Sequence, residues 1–70
     1  MPKRIVYRVR QRITEWRVTR DDKKCGRAPT KALAVAFGRV NARADEAAGK
    51  PSQLVIYGED GEVLREHTYG

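Results

Sequence analysis

Several residue types that carry chemistry are scarce in this 70-residue chain. It has one cysteine, Cys25, so it forms no intramolecular disulfide, and it has no Cys/His cluster that would bind zinc. His67 is the only histidine and has no second ligand or nucleophile at a useful spacing, so we expect it to be structural. No segment approaches the ~20 apolar residues of a membrane span. The N-terminal residues also lack the apolar run of a signal peptide. We therefore expect a cytoplasmic protein without metal or cofactor.

Large apolar side chains are also few. Val, Ile, Leu and Phe account for 14 of the 70 residues. A domain of this length buries only about 60% of the surface that its unfolded chain exposes. A deep substrate cavity would use up much of so small a core, so we expect no enzyme. The length allows one domain over residues 1–70.

Hydrophobic alternation predicts two β-hairpins. Residues 5–10 and 14–20 alternate apolar and polar side chains, as half-buried strands do, and the short link between them predicts the first hairpin. Residues 54–57 are apolar on both faces, which predicts a strand buried on both sides. Asp60-Gly61 marks a tight turn before a last strand over residues 62–69.

One helix is predicted between the hairpins. Thr30 is placed to cap its N-terminus, residues 31–48 are rich in alanine, and Gly49-Lys50-Pro51 ends it. The predicted fold is α+β: two β-hairpins forming a small antiparallel sheet with one helix packed on one face, in the order β-β-α-β-β. The residues expected between helix and sheet are Tyr7 or Val6, Trp16, Val18, Leu54 or Val55, Ile56, Leu33, Phe37 and Val40.

The helix carries a second pattern, of small residues four positions apart. Ala34, Gly38 and Ala42 lie on the side away from Leu33 and Phe37, and small residues let another backbone approach closely. We interpret these three residues as a contact with a second copy of the chain. The polar segment 21–29 reads as a loop, long enough to act as a hinge if the two copies exchange strands.

Basic residues are concentrated in the first half of the chain. The formal net charge is +6; residues 1–31 hold 11 basic and 3 acidic side chains, and residues 32–70 hold 4 basic and 6 acidic. This asymmetry fits a polyanion such as nucleic acid, and it also fits halves of opposite sign that meet across a dimer. A basic two-stranded ribbon can enter a major groove. The candidate nucleic-acid-binding residues are Arg8, Arg10, Arg12, Arg17, Arg20, Lys23, Lys24 and Arg27.

The aromatic residues of the first hairpin admit two interpretations. Tyr7 and Trp16 can offer base-stacking surfaces, as aromatic side chains do in proteins that bind single strands. Both also fall on the apolar faces of their strands. We therefore expect them in the core.

Several short motifs resemble one bacterial family. Leu54-Val55-Ile56 is followed by Gly58-Glu59-Asp60-Gly61 and, after a short strand, by Tyr69-Gly70. Trp16 in the second strand and Thr30-Lys31-Ala32 at the helix start match as well. With these motifs the chain resembles domain-of-unknown-function family 2188, over nearly its whole length. The resemblance supports the predicted fold and implies no activity, substrate or cofactor.

Two functions follow from the sequence. The first is a non-catalytic binding or interaction module that acts as a homodimer. The alternative is a basic nucleic-acid-binding module that uses the N-terminal hairpin and the segment after it.

Overall fold

The computed structural model describes residues 4–70 as one five-stranded sheet and one helix. Residues 1–3, which include Lys3 of the basic half, lie outside the described residues. In chain order the elements are β1 (Ile5–Gln11), β2 (Trp16–Arg20), β3 (Lys23–Ala28), α1 (Lys31–Ala47), β4 (Ser52–Tyr57) and β5 (Val63–Tyr69).

The sheet is mixed. Its strand order is β3-β2-β1-β4-β5, in which β1 and β4 are parallel and the other neighbours are antiparallel. The predicted α+β class is confirmed. The predicted sheet of two antiparallel hairpins is wrong, because the observed sheet contains a fifth strand and a parallel pair. Parallel neighbours need a long crossover connection, and α1 supplies it.

The segment predicted as a loop over residues 21–29 contains β3. Asp21 and Asp22 join it to β2 with φ values of 49° and 69°. Two positive φ values make the turn that matches hairpin twist, and aspartate tolerates this region better than most residues. The Asp21 carboxylate also accepts a hydrogen bond from the Val6 N–H at 2.9 Å. Because the segment is paired in the sheet, it is not the free hinge expected for strand exchange.

The ends of α1 agree with the sequence prediction to within one residue. The Thr30 hydroxyl accepts a hydrogen bond from the Leu33 N–H at 3.3 Å, which confirms it as the N-cap. The helix ends at Ala47. Gly49 then takes a φ of 82°, and its N–H donates to the Glu46 carbonyl at 3.0 Å, a glycine-based helix end.

The face that α1 buries differs from the predicted one, although the Phe37 ring does pack over Gly26 of β3. The buried residues of the helix are Ala34, Gly38 and Ala42. Its exposed large apolar residues are Leu33, Phe37 and Val40, at 55%, 40% and 68%. The residues expected to contact a second copy therefore lie inside the protomer. The cause is volume: a Cβ on Gly38 would lie 2.8 Å from Leu54 Cδ1, so only small residues fit where helix and sheet are this close.

The core lies between α1 and one face of the sheet. The large side chains that fill it are Ile5, Tyr7, Val9, Trp16, Val18, Leu54 and Ile56. Of the two pairs left open by the sequence, Tyr7 and Leu54 face the helix, while Val6 stands on the opposite face. Val55 is also buried, because β4 lies between β1 and β5, and this confirms the two-sided burial predicted for that strand.

Candidate nucleic-acid interface

The sheet face opposite α1 carries a line of arginines across three neighbouring strands. Arg10 of β1 lies opposite Arg17 of β2, and Arg17 lies opposite Arg27 of β3. These residues alternate with side chains that point toward the helix, so their own side chains stand on the other face. Strands are ~4.8 Å apart, so the three Cα atoms span roughly 10 Å. We name Arg10, Arg17 and Arg27 the arginine row.

A neighbouring register row adds two more cations to this face. Arg8 lies opposite Thr19, and Thr19 lies opposite Lys24. One Arg8 Nη atom is 3.5 Å from the exposed Asp22 carboxylate. An exposed ion pair contributes only ~0–1 kcal/mol, so Arg8 can exchange this partner for another anion.

A single carboxylate lies between two members of the arginine row. Glu15 is 3.8 Å from Arg17 Nε and 3.8 Å from an Arg27 Nη atom, too far for hydrogen bonds. Glu15 Oε2 and Arg17 Nε are both buried without a hydrogen-bond partner. The ion pairs with Glu15 therefore orient the two guanidinium groups without using all of their N–H donors. Their remaining N–H groups can bind a further anion.

The third member of the row stacks on an aromatic ring. The Arg10 guanidinium carbon lies 4.5 Å from the centroid of Tyr57, within cation–π range. Arg10 lowers the pKa of the Tyr57 hydroxyl, partial burial opposes this shift, and Arg8 adds to the lowering. Since Arg10 covers one face of the half-buried ring, Tyr57 positions a cation on this side of the sheet.

Three of the candidate basic residues lie away from this face. Arg20 Nε donates to the Tyr7 hydroxyl at 3.1 Å and is 3.7 Å from Asp45, so it joins the sheet to the helix. The Tyr7 hydroxyl donates to Asp45 at 2.6 Å, and burial together with this carboxylate raises the pKa of Tyr7 to about 12. Lys23 is opposite Arg20, and Arg12 lies in the turn between β1 and β2.

The other residues singled out by their chemistry lie apart from one another. Trp16 and Tyr7 are buried under the helix, as predicted, and do not offer faces for stacking. Cys25 is half-buried in β3, whereas His67 lies near the opposite edge in β5. Within residues 4–70, no three His, Cys, Asp or Glu side chains come together as a metal site. No helix in that range is long and apolar enough to cross a membrane.

Sequence reasoning missed two members of the interface. Alternation over residues 14–20 puts Glu15 on the same face as Arg17, but its position between Arg17 and Arg27 depends on β3, which local signals do not predict. Tyr57 was assigned to a buried strand without a face. The parallel pairing of β1 and β4, which places it beside Arg10, has no local sequence signal.

Comparison with known proteins identifies one family. No curated protein and no solved structure matches the chain. The sequence profile of a family described as uncharacterised proteins conserved in bacteria, DUF2188, matches residues 7–69. This range includes the helix and the whole arginine row, and it confirms the resemblance drawn from the short motifs. The chain therefore belongs to the DUF2188 family.

Proposed function

We propose that the protein is a non-catalytic module that binds double-stranded DNA through the sheet face opposite α1. The observation that carries the proposal is the arginine row, three guanidinium groups in register on neighbouring strands. Phosphate contacts by lysine and arginine supply most of the affinity of such interfaces. Arg8 and Lys24 extend the same face by one register row.

The aromatic side chains favour a duplex over a single strand. Proteins that bind single strands stack bases on exposed aromatic rings. Here Trp16 and Tyr7 are buried, and Tyr57 already stacks with Arg10. The face therefore offers charge without an open stacking surface, which suits a phosphate backbone whose bases remain paired.

Charge also limits how far the duplex extends across the sheet. The turn between β4 and β5 contains Glu59, Asp60 and Glu62, and Glu66 stands on the open face of β5. These carboxylates repel phosphates. We expect the duplex to lie over β1, β2 and β3 and to leave β5 uncovered.

The test is fluorescence anisotropy with a labelled duplex at about 50 mM and about 200 mM salt. For the native protein we expect affinity that falls steeply with salt. In the variant R10S/R17S/R27S, three phosphate contacts are lost, so the slope of log K against log salt should fall by about 2.7. The variant R10K/R17K/R27K keeps the charge and should retain most of the affinity.

The matched control removes the same charge elsewhere. R39S/K50S/R65S changes three exposed cations outside the proposed face. We expect it to bind within a few-fold of the native protein. Equal losses of DNA affinity in the two serine variants would show that the effect comes from net charge alone. Binding that does not depend on salt, or no binding at all, would refute the proposed function. Circular dichroism of each variant checks that the fold is retained.

Association with a second copy of the chain stays a prediction, but the surface expected to mediate it is no longer available. Ala34, Gly38 and Ala42 are buried, so the expected contact is not on the surface. The apolar residues that α1 exposes are Leu33, Phe37 and Val40. Sedimentation of the native protein and of V40E tests this: a dimer that V40E dissociates would support it.

The cytoplasmic location also stays part of the proposal, since bacterial DNA is found there.

A further inference from the structure

An open groove separates α1 from strand β5. The helix lies mainly over β1, β4 and β2, and it only touches β5. The resulting groove has a volume of about 600 Å³. β5 is also the last strand of the sheet, so among residues 4–70 its outer edge has no strand partner. The groove therefore runs beside an unpaired strand edge.

The groove has an apolar floor and a basic rim. The apolar lining residues are Ala32, Val35, Ile56 and Leu64. The rim consists of Lys31, Arg39, Arg65 and His67. No carboxylate lines this groove, although Glu59 and Asp60 line a neighbouring depression that shares Lys31 and Leu64 with it. The side chains thus favour a ligand that combines apolar groups with negative charge.

We propose that this surface binds an extended acidic peptide, which adds to the outer edge of β5. Strand addition supplies main-chain hydrogen bonds, and alternate side chains of the added strand point to one face. On the helix side, apolar side chains cover Leu64, which is half-exposed, and carboxylates pair with Arg39 and Arg65. The acidic turn at Glu59 and Asp60 repels carboxylates, so the peptide's negative charge lies toward His67.

This site is separate from the arginine row. The groove lies on the helix side of the sheet at the β5 edge, whereas the arginine row lies on the opposite face at the β3 side. Loss of one function therefore leaves the other measurable.

The test is an amide NMR titration of the labelled protein with capped peptides of alternating glutamate and valine. We expect shifts in residues 63–69 and in the groove-facing side of α1. R39E/R65E should weaken binding about tenfold, since two attractive charges become repulsive. The same variant should gain affinity for a peptide of alternating lysine and valine, which we expect the native protein not to bind.

Two controls separate the site from general attraction of acidic peptides. R10S/R17S/R27S removes the arginine row and should leave the shifts in residues 63–69 unchanged. A peptide of alternating glutamate and glycine, which lacks apolar side chains, should bind at least several-fold more weakly. Shifts confined to the arginine row, or no shifts with either peptide, would overturn the proposal without affecting the test for DNA.

Discussion

The close contact between α1 and the sheet predicts an unusual response to the substitution Gly38→Ala. In an open helix this change stabilises by about 1 kcal/mol, because glycine is the poorer helix former. Here the new Cβ would lie 2.8 Å from Leu54 Cδ1, closer than such atoms approach in proteins. The same Cβ would lie 3.7 Å from Val9 and 3.8 Å from Val18, and Leu54 is fully buried, so the Leu54 side chain has little room to move away.

The two effects have opposite signs, and their sizes decide the outcome. Forcing an extra methyl group into a packed core costs about 1–3 kcal/mol. Subtracting the propensity gain leaves a net loss of about 1 kcal/mol, which lowers the melting temperature by about 4–8 °C in a domain of this size. Leu54→Val removes the atom that clashes. In that background Gly38→Ala should instead stabilise by about 1 kcal/mol.

Urea unfolding of the four members of this double-mutant cycle measures the change of sign. The coupling free energy between positions 38 and 54 should be about 2 kcal/mol. Ala36→Gly, at an exposed position on the same helix, calibrates the propensity and should cost about 1 kcal/mol in either background. If Gly38→Ala stabilises the native chain as it does the Leu54→Val chain, the helix is not seated this close to the sheet, and the explanation of its orientation is wrong.

Three further predictions concern single side chains. Glu15→Gln removes the negative charge between Arg17 and Arg27. We therefore expect several-fold tighter DNA binding and a steeper salt dependence, measured by anisotropy. Weaker binding would show that the carboxylate is needed to position the two arginines. Tyr7 has a pKa of about 12 when folded against 10.0 when unfolded, so the stability from its protonated hydroxyl is complete below pH 10 and is lost as the pH rises towards 12. Urea unfolding across this range should show a smaller alkaline loss in Tyr7→Phe, and equal losses would contradict the shift. Asp22→Gly relieves a non-glycine residue at φ 69° and should stabilise by about 0.5 kcal/mol in the same assay; a loss would mean that its contact with Arg8 matters more.

Local signals predicted most of the elements, because those elements depend on neighbours in the chain. Thr30 caps a helix through atoms three residues away, and Asp60-Gly61 closes a hairpin within the same few residues. The missed strand β3 shows the limit of such signals. Its turn uses Asp21-Asp22, a pair that sequence rules associate with loops, and its stability comes from pairing with β2.

The orientation of α1 could not be predicted from hydrophobicity, because it depends on the volume left by the sheet. The rule that large apolar residues face the core favoured Leu33, Phe37 and Val40. Tyr7, Trp16 and Leu54 already fill that space from the sheet, so the helix contributes its smallest residues. The candidate site follows the same logic: alternation along the first two strands puts Arg8, Arg10 and Arg17 among the polar side chains, but only the pairing of β2 with β3 brings Arg27 into line with them.

The topology also bears on the two interpretations of the charge asymmetry. The basic half forms β1, β2 and β3, and the half with more carboxylates forms α1, β4 and β5. The strands β3 and β5 are therefore at opposite edges of one sheet.

A two-fold dimer formed by strand pairing places the same edge against itself. Pairing through β3 would therefore set Lys23, Lys24 and Arg27 against their own copies. Pairing the basic edge with the β5 edge of another copy satisfies the charges but repeats without closing, which gives a filament and not a dimer. Strand pairing between unlike edges therefore does not give a closed dimer. The proposed polyanion lying across β1 to β3 would satisfy the same charges in a single, closed complex.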